Sequence, residues 1–600
     1  MVDRGNIMKL LLVALSILGG TPVLSAPSIT YKLGMSQPWT HLFEVEIQLR
    51  GLAPSSDSLD FVLPVWRSGR YTIFDFAGGV EQFFASGKKN TLKWSKVDKT
   101  TWRVRTMGET VVSIRYKVFA NEFKLRTRGL NDEHGFVDGT SVFMYVPEFR
   151  SVPVTLDVIP YDSWHVTTGL DSIPGHRFSF SAPDYDYLVD CPVEIGHQKD
   201  VVFEAEGRPH VISLFGKITY DLDSLVKEIG TIVSMNARFW GTIPYKRFVF
   251  ILHAIPDGGG GTEHLNSAVL SILPSTSRRP VSRRGLVGLI SHELFHTWNV
   301  KQLRPKGMDP YDWTKENYSK VLWIAEGSTT YFHGLLLMRA GFSTPAEYLD
   351  GVASMAQADR ERPGNRLQSI AESSFDTWVN STTGSDRGFN SRSDIYGKGA
   401  AVSVLLDLEL RYRSGNRHSY EELLRLLYNR FPLGSGGYDI ADVNRLAVEL
   451  GGEPLNIFFN NYVFGTDPLP WERTLAYAGL ELAPADTVPK PFLGVSTSDV
   501  QGRVVIREVV AGSPAYDAGL DVGDEIVALN GERLRSGDLL PHIEGMALGE
   551  RIELVVFHEE KLRSYTLRLD RERVPSYKIT RVANPSAQQK SICSSWLNGH

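Results

Sequence analysis

In the first third of the chain, several short segments alternate apolar and polar residues with a period of two. Residues 43–49 alternate strictly, and residues 102–105, 114–118 and 203–206 repeat the pattern. Strict alternation is typical of a β-strand with one buried and one exposed face, and the Gly and Pro residues between the segments favour turns. The pattern therefore predicts an N-terminal all-β, sandwich-like domain over residues 27–215.

A helical period replaces the alternation further along the chain. Apolar residues recur every three or four positions from Leu222 to Val233, behind Asp221 or Asp223 as the capping residue. Residues 248–252 form a continuous apolar run, which by its length and β-branched content predicts one buried strand. Helical spacing then dominates, which predicts a mainly helical domain over residues 216–482 and a multidomain α+β protein.

One predicted helix in this domain carries the pattern H-E-x-x-H, at His292, Glu293 and His296. Residues four apart lie one turn apart on the same helix face, so both imidazoles project from one side and can bind a single Zn²⁺ ion. Glu293 lies about 100° round the helix and can take a proton from the attacking water. The sequence therefore predicts a catalytic metal site with Glu293 as the general base.

Glu326 is the candidate for the third metal ligand. It lies a short distance downstream in a second predicted helix, flanked by Trp323, Ile324 and Ala325. A carboxylate among such neighbours is costly to bury unless a cation neutralises it. An ion pair with an arginine is the alternative, but it does not account for the two histidines upstream. His292, His296 and Glu326 with one open position form a catalytic zinc set, one ion per chain.

Two segments around these residues carry a resemblance to a known family. The segments H-E-L-F-H-T-W-N-V-K-Q-L-R-P (292–305) and L-W-I-A-E-G (322–327) resemble those of the PDZ-containing glycyl aminopeptidases. These enzymes are gluzincin metallopeptidases with a thermolysin-like catalytic domain. The resemblance implies a zinc aminopeptidase that acts on peptide substrates with a free N-terminus, with small first residues such as Gly or Ala preferred.

The resemblance also implies roles for two further residues. Glu263 follows a run of four glycines and matches the family's G-x-x-E segment, whose Glu binds the substrate's free amino group. A carboxylate that meets an ammonium gains a charge-assisted hydrogen bond of about 1.5–3 kcal/mol. Tyr396 matches the tyrosine of the family's Y-x-K-G segment, whose hydroxyl stabilises the oxyanion that forms during hydrolysis.

Some positions depart from the family pattern or have no assigned role. Residues 68–70 read Ser-Gly-Arg where the family has Pro-Gly-Ser, and Ile395 stands where the family often has a second tyrosine. The segment 132–136 also matches the family, and a turn with a hydrogen-bonded His134 is the preferred interpretation. His333 could orient a metal ligand, but a buried, hydrogen-bonded core histidine is an equally good interpretation. The predicted site therefore omits it.

The C-terminal part carries a second recognisable module. A series of short motifs, from Leu493-Gly494-Val495 to residues 523–526, resembles a PDZ domain and places one at residues 488–572. Its Leu493–Val495 loop is expected to offer backbone N–H groups to the C-terminus of a peptide or protein. Residues 573–600 are treated as a C-terminal tail without a predicted role.

The N-terminus and the composition set the cellular context. Residues 1–26 combine Arg4 and Lys9 with a short apolar run and small residues, which predicts a secretory signal peptide. The expected location is beyond the inner membrane, in the periplasm, with no stable membrane span after removal of the leader. A formal net charge of −5 gives no basic excess for nucleic acid. The two cysteines, Cys191 and Cys593, leave a disulfide and two free thiols both open.

Two alternative functions use the same residues. One is a zinc endopeptidase of the same fold, in which Glu263 is only structural. The other is a peptide-binding protein that acts through the PDZ domain and carries a vestigial zinc site. The intact Glu293 speaks against the second alternative.

Overall fold

A computed structural model describes residues 27–380, 388–486 and 488–599 of the chain. The predicted signal peptide at residues 1–26 lies outside this range. Within the range, no helix is both long and apolar enough to cross a membrane.

The N-terminal region is built from strands, as predicted. Its elements are β1 Ser28–Gly34, β2 Leu42–Arg50, β3 Ser58–Val62, β4 Val80–Ser86, β5 Trp94–Lys96, β6 Thr101–Arg105, β7 Val111–Phe119, β8 Arg128–Leu130, β9 His134–Val137, β10 Val154–Ile159, β11 His165–Thr168, β12 Asp171–Ser172, β13 Ser179–Ala182, α1 Tyr185–Val189 and β14 Val193–Gly196. One path of paired strands runs β12-β13-β10-β1-β2-β7-β4, a second runs β11-β14-β9-β8, and a third runs β3-β6-β5.

Strand β2 shows why this region folds as sheets. Phe43, Val45, Ile47 and Leu49 alternate with polar residues, and all four apolar side chains are buried. The alternation places them on one face of the pleated strand, and that face packs into the core.

The central region combines one sheet with many helices. Its elements are β15 Lys199–Ala205, β16 Arg208–Gly216, α2 Leu222–Trp240, β17 Phe248–Ala254, β18 Gly261–Glu263, β19 Ser267–Ile272, α3 Arg283–Phe295, α4 Thr329–Arg339, α5 Pro345–Glu361, α6 Ile370–Phe375, α7 Thr377–Asn380, α8 Gly388–Ser391, α9 Gly397–Arg413, α10 Tyr420–Arg430, α11 Ile440–Gly451, α12 Pro454–Phe458, α13 Trp471–Ala476 and β20 Leu480–Pro484. The side chain of Asp221 accepts a hydrogen bond from the backbone of Ser224, so Asp221 caps α2.

The sheet crosses the domain boundary that the sequence predicts near residue 215. Its strands lie in the order β15-β16-β17-β19-β18, with β16 and β17 parallel from the His210–Phe248 pair to the Gly216–Ala254 pair. Strands β15 and β16 therefore belong to the central sheet and not to the N-terminal domain. Their apolar–polar alternation resembles that of the strands before them, so the pattern alone could not assign them to a sheet.

Strand β18 is the edge of this sheet and runs antiparallel to β19. It carries the sequence Gly261-Thr262-Glu263 and contacts α3, the helix that contains the H-E-x-x-H pattern. An edge strand has unpaired backbone groups that an extended peptide can use. The fold thus places an edge suited to a peptide beside the predicted catalytic helix.

The C-terminal region contains the PDZ domain and a folded tail. Its elements are β21 Val495–Val500, β22 Arg503–Val509, α14 Pro514–Ala518, β23 Glu525–Leu529, β24 Glu532–Arg533, α15 Leu539–Glu544, β25 Arg551–His558, β26 Lys561–Arg568, β27 Tyr577–Arg581 and α16 Ala587–Asn598. The PDZ domain has its own apolar core, whereas one continuous core joins the N-terminal and central regions.

Residues 573–600, which the sequence analysis treats only as a C-terminal tail, pack on the central region. Strand β27 pairs with β20, so the PDZ domain is inserted between two neighbouring strands. On α16, Ile592 and Trp596 are fully buried, and the Trp596 indole N–H donates to the Tyr331 hydroxyl at 2.8 Å. Ile592, Cys593, Trp596 and Leu597 have helical spacing, which is the sequence signal for this helix. Cys191 and Cys593 are buried free thiols.

The PDZ domain also contacts the catalytic domain through Asn390 on α8. The Asn390 side-chain amide donates to the Val509 carbonyl at 2.7 Å and accepts from the Ala511 N–H at 2.8 Å. Val510 lies between these two residues, and its N–H donates to the carbonyl of Gly494 in the predicted peptide-binding loop. The two domains are therefore joined close to that loop.

Candidate active site

Helix α3 presents the two histidines as the sequence predicts. The Ser282 side chain caps its N-terminus by accepting from the Gly285 N–H. Leu286, Ile290 and Leu294 are buried and anchor the opposite face in the core. The Nε2 atoms of His292 and His296 lie 3.1 Å apart. Both rings therefore aim at one point in the cleft.

Glu326 joins them from a π-helical turn, Ile324–Ser328, that leads into α4. Its Oε2 atom lies 3.8 Å from His292 Nε2 and 3.4 Å from His296 Nε2. A Cβ on Gly327 would lie 2.4 Å from the backbone of Gly399, so glycine is needed where this turn packs on α9. Helical π-turns are frequent at functional sites, and this one aims Glu326 at the histidines.

These three residues fit a small divalent metal ion. Tetrahedral coordination with bonds of about 2.0–2.2 Å separates the ligand atoms by about 3.4 Å, close to the three distances found. Burial alone would raise the pKa of Glu326, but His296 and His292 outweigh burial and hold that pKa below its usual range. Glu293 and Glu263 lie beside the group and are also buried. A metal cation would offset this excess of buried negative charge.

Further contacts orient the three candidate ligands. His296 Nδ1 lies 3.0 Å from the Asn299 carbonyl and therefore carries the proton, which leaves Nε2 free to bind a metal. Tyr71, from the N-terminal domain, donates its hydroxyl to Glu326 Oε1 at 2.9 Å. His333 Nδ1 lies 3.3 Å from His292 Nδ1. His333 thus contacts a candidate ligand, although the sequence prediction omitted it.

Glu293 lies on the same helix, directed towards the edge strand. A Cβ on Gly261 would lie 2.3 Å from the Glu293 carboxylate, so the strand approaches this carboxylate closely only because it has glycine there. Burial raises the pKa of Glu293 above its ordinary value, and the Glu263 and Glu326 carboxylates add to this. A raised pKa suits a carboxylate that must accept a proton and pass it on.

Glu263 lines the same cleft. It lies at the end of β18 and is 4% exposed, with its carboxylate within 4.8 Å of the nearest ligand atoms of Glu293 and His296. Arg126 holds the strand in place, since its side chain donates to Thr262 Oγ1 at 3.0 Å and to the Gly259 carbonyl at 2.5 Å. The structure therefore brings Glu263 into the predicted site.

Tyr396 lies directly before α9 and faces the cleft. Its ring centroid is 6.4 Å from that of His292, and the rings are close to parallel. Tyr396 is 44% exposed as a whole residue, but its hydroxyl is shielded from bulk water within the cleft. This shielding raises the pKa of Tyr396 well above its ordinary value, and the Glu326, Glu263 and Glu293 carboxylates raise it further. The hydroxyl therefore stays protonated and can donate a hydrogen bond.

A second His–Glu–His group lies between β9, β14 and β17. His134 Nε2 is 2.5 Å from Glu194 Oε1, and His253 Nε2 is 2.8 Å from Glu194 Oε2. These distances are those of hydrogen bonds and are shorter than the spacing of two ligands on one metal. His134 is therefore hydrogen-bonded as predicted, but it lies on strand β9 and not in a turn, and Glu194 links it to His253 of the central sheet.

Sequence reasoning missed Tyr71, Arg126 and Asn299. Asn299 lies inside the segment quoted for the family resemblance, and Tyr71 follows the segment that departs from the family pattern. Their contacts with the site depend on tertiary packing. Tyr71 and Glu326, for example, are separated by 255 positions in the sequence. Local sequence patterns carry no such information.

Three parts of the chain match known protein families. Residues 30–197 match the peptidase M61 N-terminal domain, residues 285–402 match the M61 glycyl aminopeptidase domain, and residues 491–569 match a PDZ domain. The second match contains both histidines, Glu293, Glu326 and Tyr396.

A solved structure shares the fold over nearly the whole chain. The chain resembles an aminopeptidase N family protein from Idiomarina loihiensis with a TM-score of 0.86 and 24% identity, covering 95% of this chain and 100% of that chain. It has a more remote likeness, with a TM-score of 0.47 and 15% identity, to an M1 zinc metallopeptidase from Deinococcus radiodurans, covering 74% and 94% of the two chains. A curated relative, the serine protease Do-like HtrA of Bacillus subtilis (strain 168), is 30% identical over 16% of this chain and 23% of its own length.

The three domain matches cover the N-terminal, catalytic and C-terminal parts in the order that the fold shows. The candidate metal ligands and Glu293 lie together inside the matched peptidase domain. The chain therefore carries the N-terminal and catalytic domains of the M61 glycyl aminopeptidases, together with a PDZ domain, and is a metallo-aminopeptidase.

Proposed function

We propose that the chain is a zinc-dependent aminopeptidase that releases small N-terminal residues, Gly or Ala, from peptides. The observation that carries this proposal is the convergence of His292, His296 and Glu326 next to Glu293, with Glu263 in the same cleft. Two imidazoles and one carboxylate are a ligand set typical of catalytic zinc.

Each residue has a distinct part in the proposed reaction. When bound, Zn²⁺ would polarise the scissile carbonyl and lower the pKa of the attacking water. Glu293 takes the proton of that water and later passes it to the leaving amine. Tyr396 donates a hydrogen bond to the carbonyl oxygen as negative charge develops on it.

The three candidate ligands are held in place by neighbouring residues. Asn299 contacts His296, His333 contacts His292, and Tyr71 contacts Glu326.

Glu263 makes the enzyme an exopeptidase in this proposal. A buried carboxylate gains a charge-assisted bond from a substrate ammonium, whereas an internal amide leaves it without a charged partner. The preference for small first residues is supported by the loop that contains Gly69. A Cβ on Gly69 would lie 2.5 Å from Glu263 Oε2, so this loop covers the end of the cleft where the first residue binds.

A set of aminoacyl anilides tests the proposal. Gly and Ala anilides should be hydrolysed faster than Leu and Phe anilides, a chelator should stop the reaction, and Zn²⁺ should restore it. Hydrolysis that persists in excess chelator would contradict the metal chemistry. Equal rates for Ala and Phe anilides would contradict the proposed selectivity.

Replacing Glu263 with Gln should lower kcat/KM for Ala anilide by about 10–100-fold. The variant loses the charge-assisted hydrogen bond to the substrate ammonium, which contributes about 1.5–3 kcal/mol. Each 1.4 kcal/mol of lost transition-state stabilisation lowers the rate about tenfold. Steady-state kinetics on the free and N-acetylated forms of one peptide give the measurement. The exposed Glu481, replaced with Gln, is the matched control. A ratio of free to acetylated rates that stays unchanged in Glu263→Gln would rule out this role.

Replacing Tyr71 with Phe should lower the affinity for Zn²⁺ by about 10–100-fold. The phenol donates to Glu326 Oε1 and fixes the orientation of that carboxylate, so its loss leaves the ligand less well placed. Competition with a chromophoric chelator measures the affinity. Tyr145→Phe, in the N-terminal domain, is the control, and equal affinities for Tyr71→Phe and the wild type would contradict the account.

We also propose that the enzyme acts after export and that its PDZ domain binds a peptide C-terminus. The first part is supported by residues 1–26 alone, and the second by the domain match at residues 491–569. Cell fractionation checks the first part, and recovery of the protein in the cytoplasmic fraction would contradict it.

A further inference from the structure

A second cavity, of about 630 Å³, lies beside the metal cleft. It is a partly open cavity bordered by the N-terminal half of α3, by α4 and by α5. Its walls are largely apolar, and the charged residues Arg283, Arg284 and Glu347 also line it. The apolar wall residues are Val287, Leu337, Phe342, Tyr348, Val352 and Met355.

Three glycines within helices create much of this space. A Cβ on Gly288 or Gly351 would meet no described atom within 4 Å, and one on Gly334 would meet only Tyr348, at 3.9 Å. Glycine inside a helix costs about 0.5–1 kcal/mol relative to alanine, and packing does not require it at these three positions. Their shared effect is to leave one side of each helix open to the cavity.

The second cavity continues from the metal cleft. Arg284, Gly288 and His333 line both spaces, and His333 also contacts the candidate ligand His292 at 3.3 Å. Gly288 lies one turn before His292 on α3, about 6 Å along the helix axis. The opening is therefore close enough to the metal ligands for the side chain of the next residue of a bound peptide to enter it.

The order of residues along the cleft sets the direction of a bound peptide. Glu263 lies near His296, and Gly261, two residues earlier on β18, lies against Glu293. The cleft then continues past Leu289 and Gly288 towards the start of α3. A substrate is held by its amino group at Glu263, and its scissile bond lies at the metal ligands. The part of the peptide that follows this bond therefore extends towards the second cavity.

We propose that the second cavity binds the side chain of the residue that follows the scissile bond, and that it selects a large apolar residue such as Phe or Leu there. This inference rests on the proposed aminopeptidase function and adds a substrate class to it: a small first residue followed by a large apolar one. The apolar walls provide the affinity, because they exclude water from the bound side chain.

Two peptides that differ only at the second position test the inference, Ala-Phe-Gly-Gly and Ala-Gly-Gly-Gly. The wild type should have at least a tenfold higher kcat/KM for the Phe peptide. Filling the cavity with Gly334→Leu, or independently with Gly351→Leu, should bring this ratio close to one. Each ratio is measured on a single enzyme preparation, so a partial folding defect lowers both rates and leaves the ratio intact.

Gly230→Leu is the matched control. Gly230 is also a glycine within a helix, α2, where a Cβ would meet no described atom within 4 Å, and it does not line either cavity. This variant should keep the wild-type ratio. A wild-type ratio near one, or a ratio that survives both cavity-filling variants, overturns the inference while leaving the aminopeptidase intact. Cleavage of neither peptide by the wild type overturns the proposed function and the inference with it.

Discussion

A Glu293→Gln variant is expected to lose about 10²–10⁴-fold in kcat and to keep its metal. The amide has nearly the shape of the carboxylate but cannot accept the proton of the attacking water, and general-base catalysis contributes an effect of this size. Glu293 lies outside the group formed by His292, His296 and Glu326, so its replacement leaves the ligands in place. Steady-state kinetics on Ala anilide and metal analysis of the same preparation give the two measurements.

The metal analysis separates the loss of the base from the loss of the site. One metal ion per chain with strongly reduced kcat supports the assigned role, and Glu481→Gln should behave as the wild type. A Glu293→Gln variant that hydrolyses Ala anilide at the wild-type rate would contradict the mechanism.

A Lys301→Met variant is expected to lose about 3–5 kcal/mol in the free energy of unfolding. Lys301 is fully buried, and its Nζ lies 2.5 Å from Asp190 Oδ1 and 3.0 Å from Ser68 Oγ. Asp190 Oδ2 also accepts from the Leu265 N–H at 2.8 Å, just after Glu263. Removing the ammonium leaves the buried Asp190 carboxylate without its main counter-charge. Chemical denaturation measures the effect, on the unfolding transition of the N-terminal and catalytic domains.

The loss of stability should depend on pH. Burial alone would raise the pKa of Asp190, but Lys301 and His264 outweigh burial and hold that pKa well below its usual range. Such a group stabilises the fold above its unfolded pKa, about 3.9, and this contribution is lost as pH falls towards the folded pKa. Without Lys301 the carboxylate takes up a proton more readily, so the difference between variant and wild type should be largest near pH 7 and smaller near pH 4.

Two controls make this prediction specific. Adding Asp190→Asn to Lys301→Met should recover part of the stability, because no unpaired charge then remains buried. Lys246→Ala breaks an exposed pair with Asp171, whose side chains are 87% and 62% exposed, and should change stability little. A Lys301→Met variant as stable as Lys246→Ala would show that the buried pair does not hold the domains together.

The candidate site was largely predictable because it depends on local spacing. His292 and His296 are one helical turn apart, so their common face follows from the sequence once the helix is recognised. Glu326 was identified from its apolar neighbours, and Glu263 and Tyr396 from the family resemblance. The π-helical turn at Glu326 was not predicted, because it depends on the close approach of Gly327 to Gly399.

The fold was predictable in class but not in its connections. Strand β2 and helix α2 follow from their apolar periods, whereas the pairing of β16 with β17 joins segments on both sides of the predicted boundary. The pairing of β20 with β27 encloses the whole PDZ domain. Such partners are chosen by tertiary packing, as are the contacts of Tyr71 and Asn299 with the site.

The central claim is that one cleft joins a metal site to a carboxylate that selects a free amino terminus. Its most direct test is hydrolysis of one peptide, Ala-Phe-Gly-Gly, with its N-terminus free or acetylated, followed by mass spectrometry of the products of the wild-type enzyme. The account predicts release of Ala from the free peptide and hydrolysis of the acetylated peptide at least tenfold slower. Equal rates for the two peptides, or cleavage at an internal bond of the acetylated one, would contradict it.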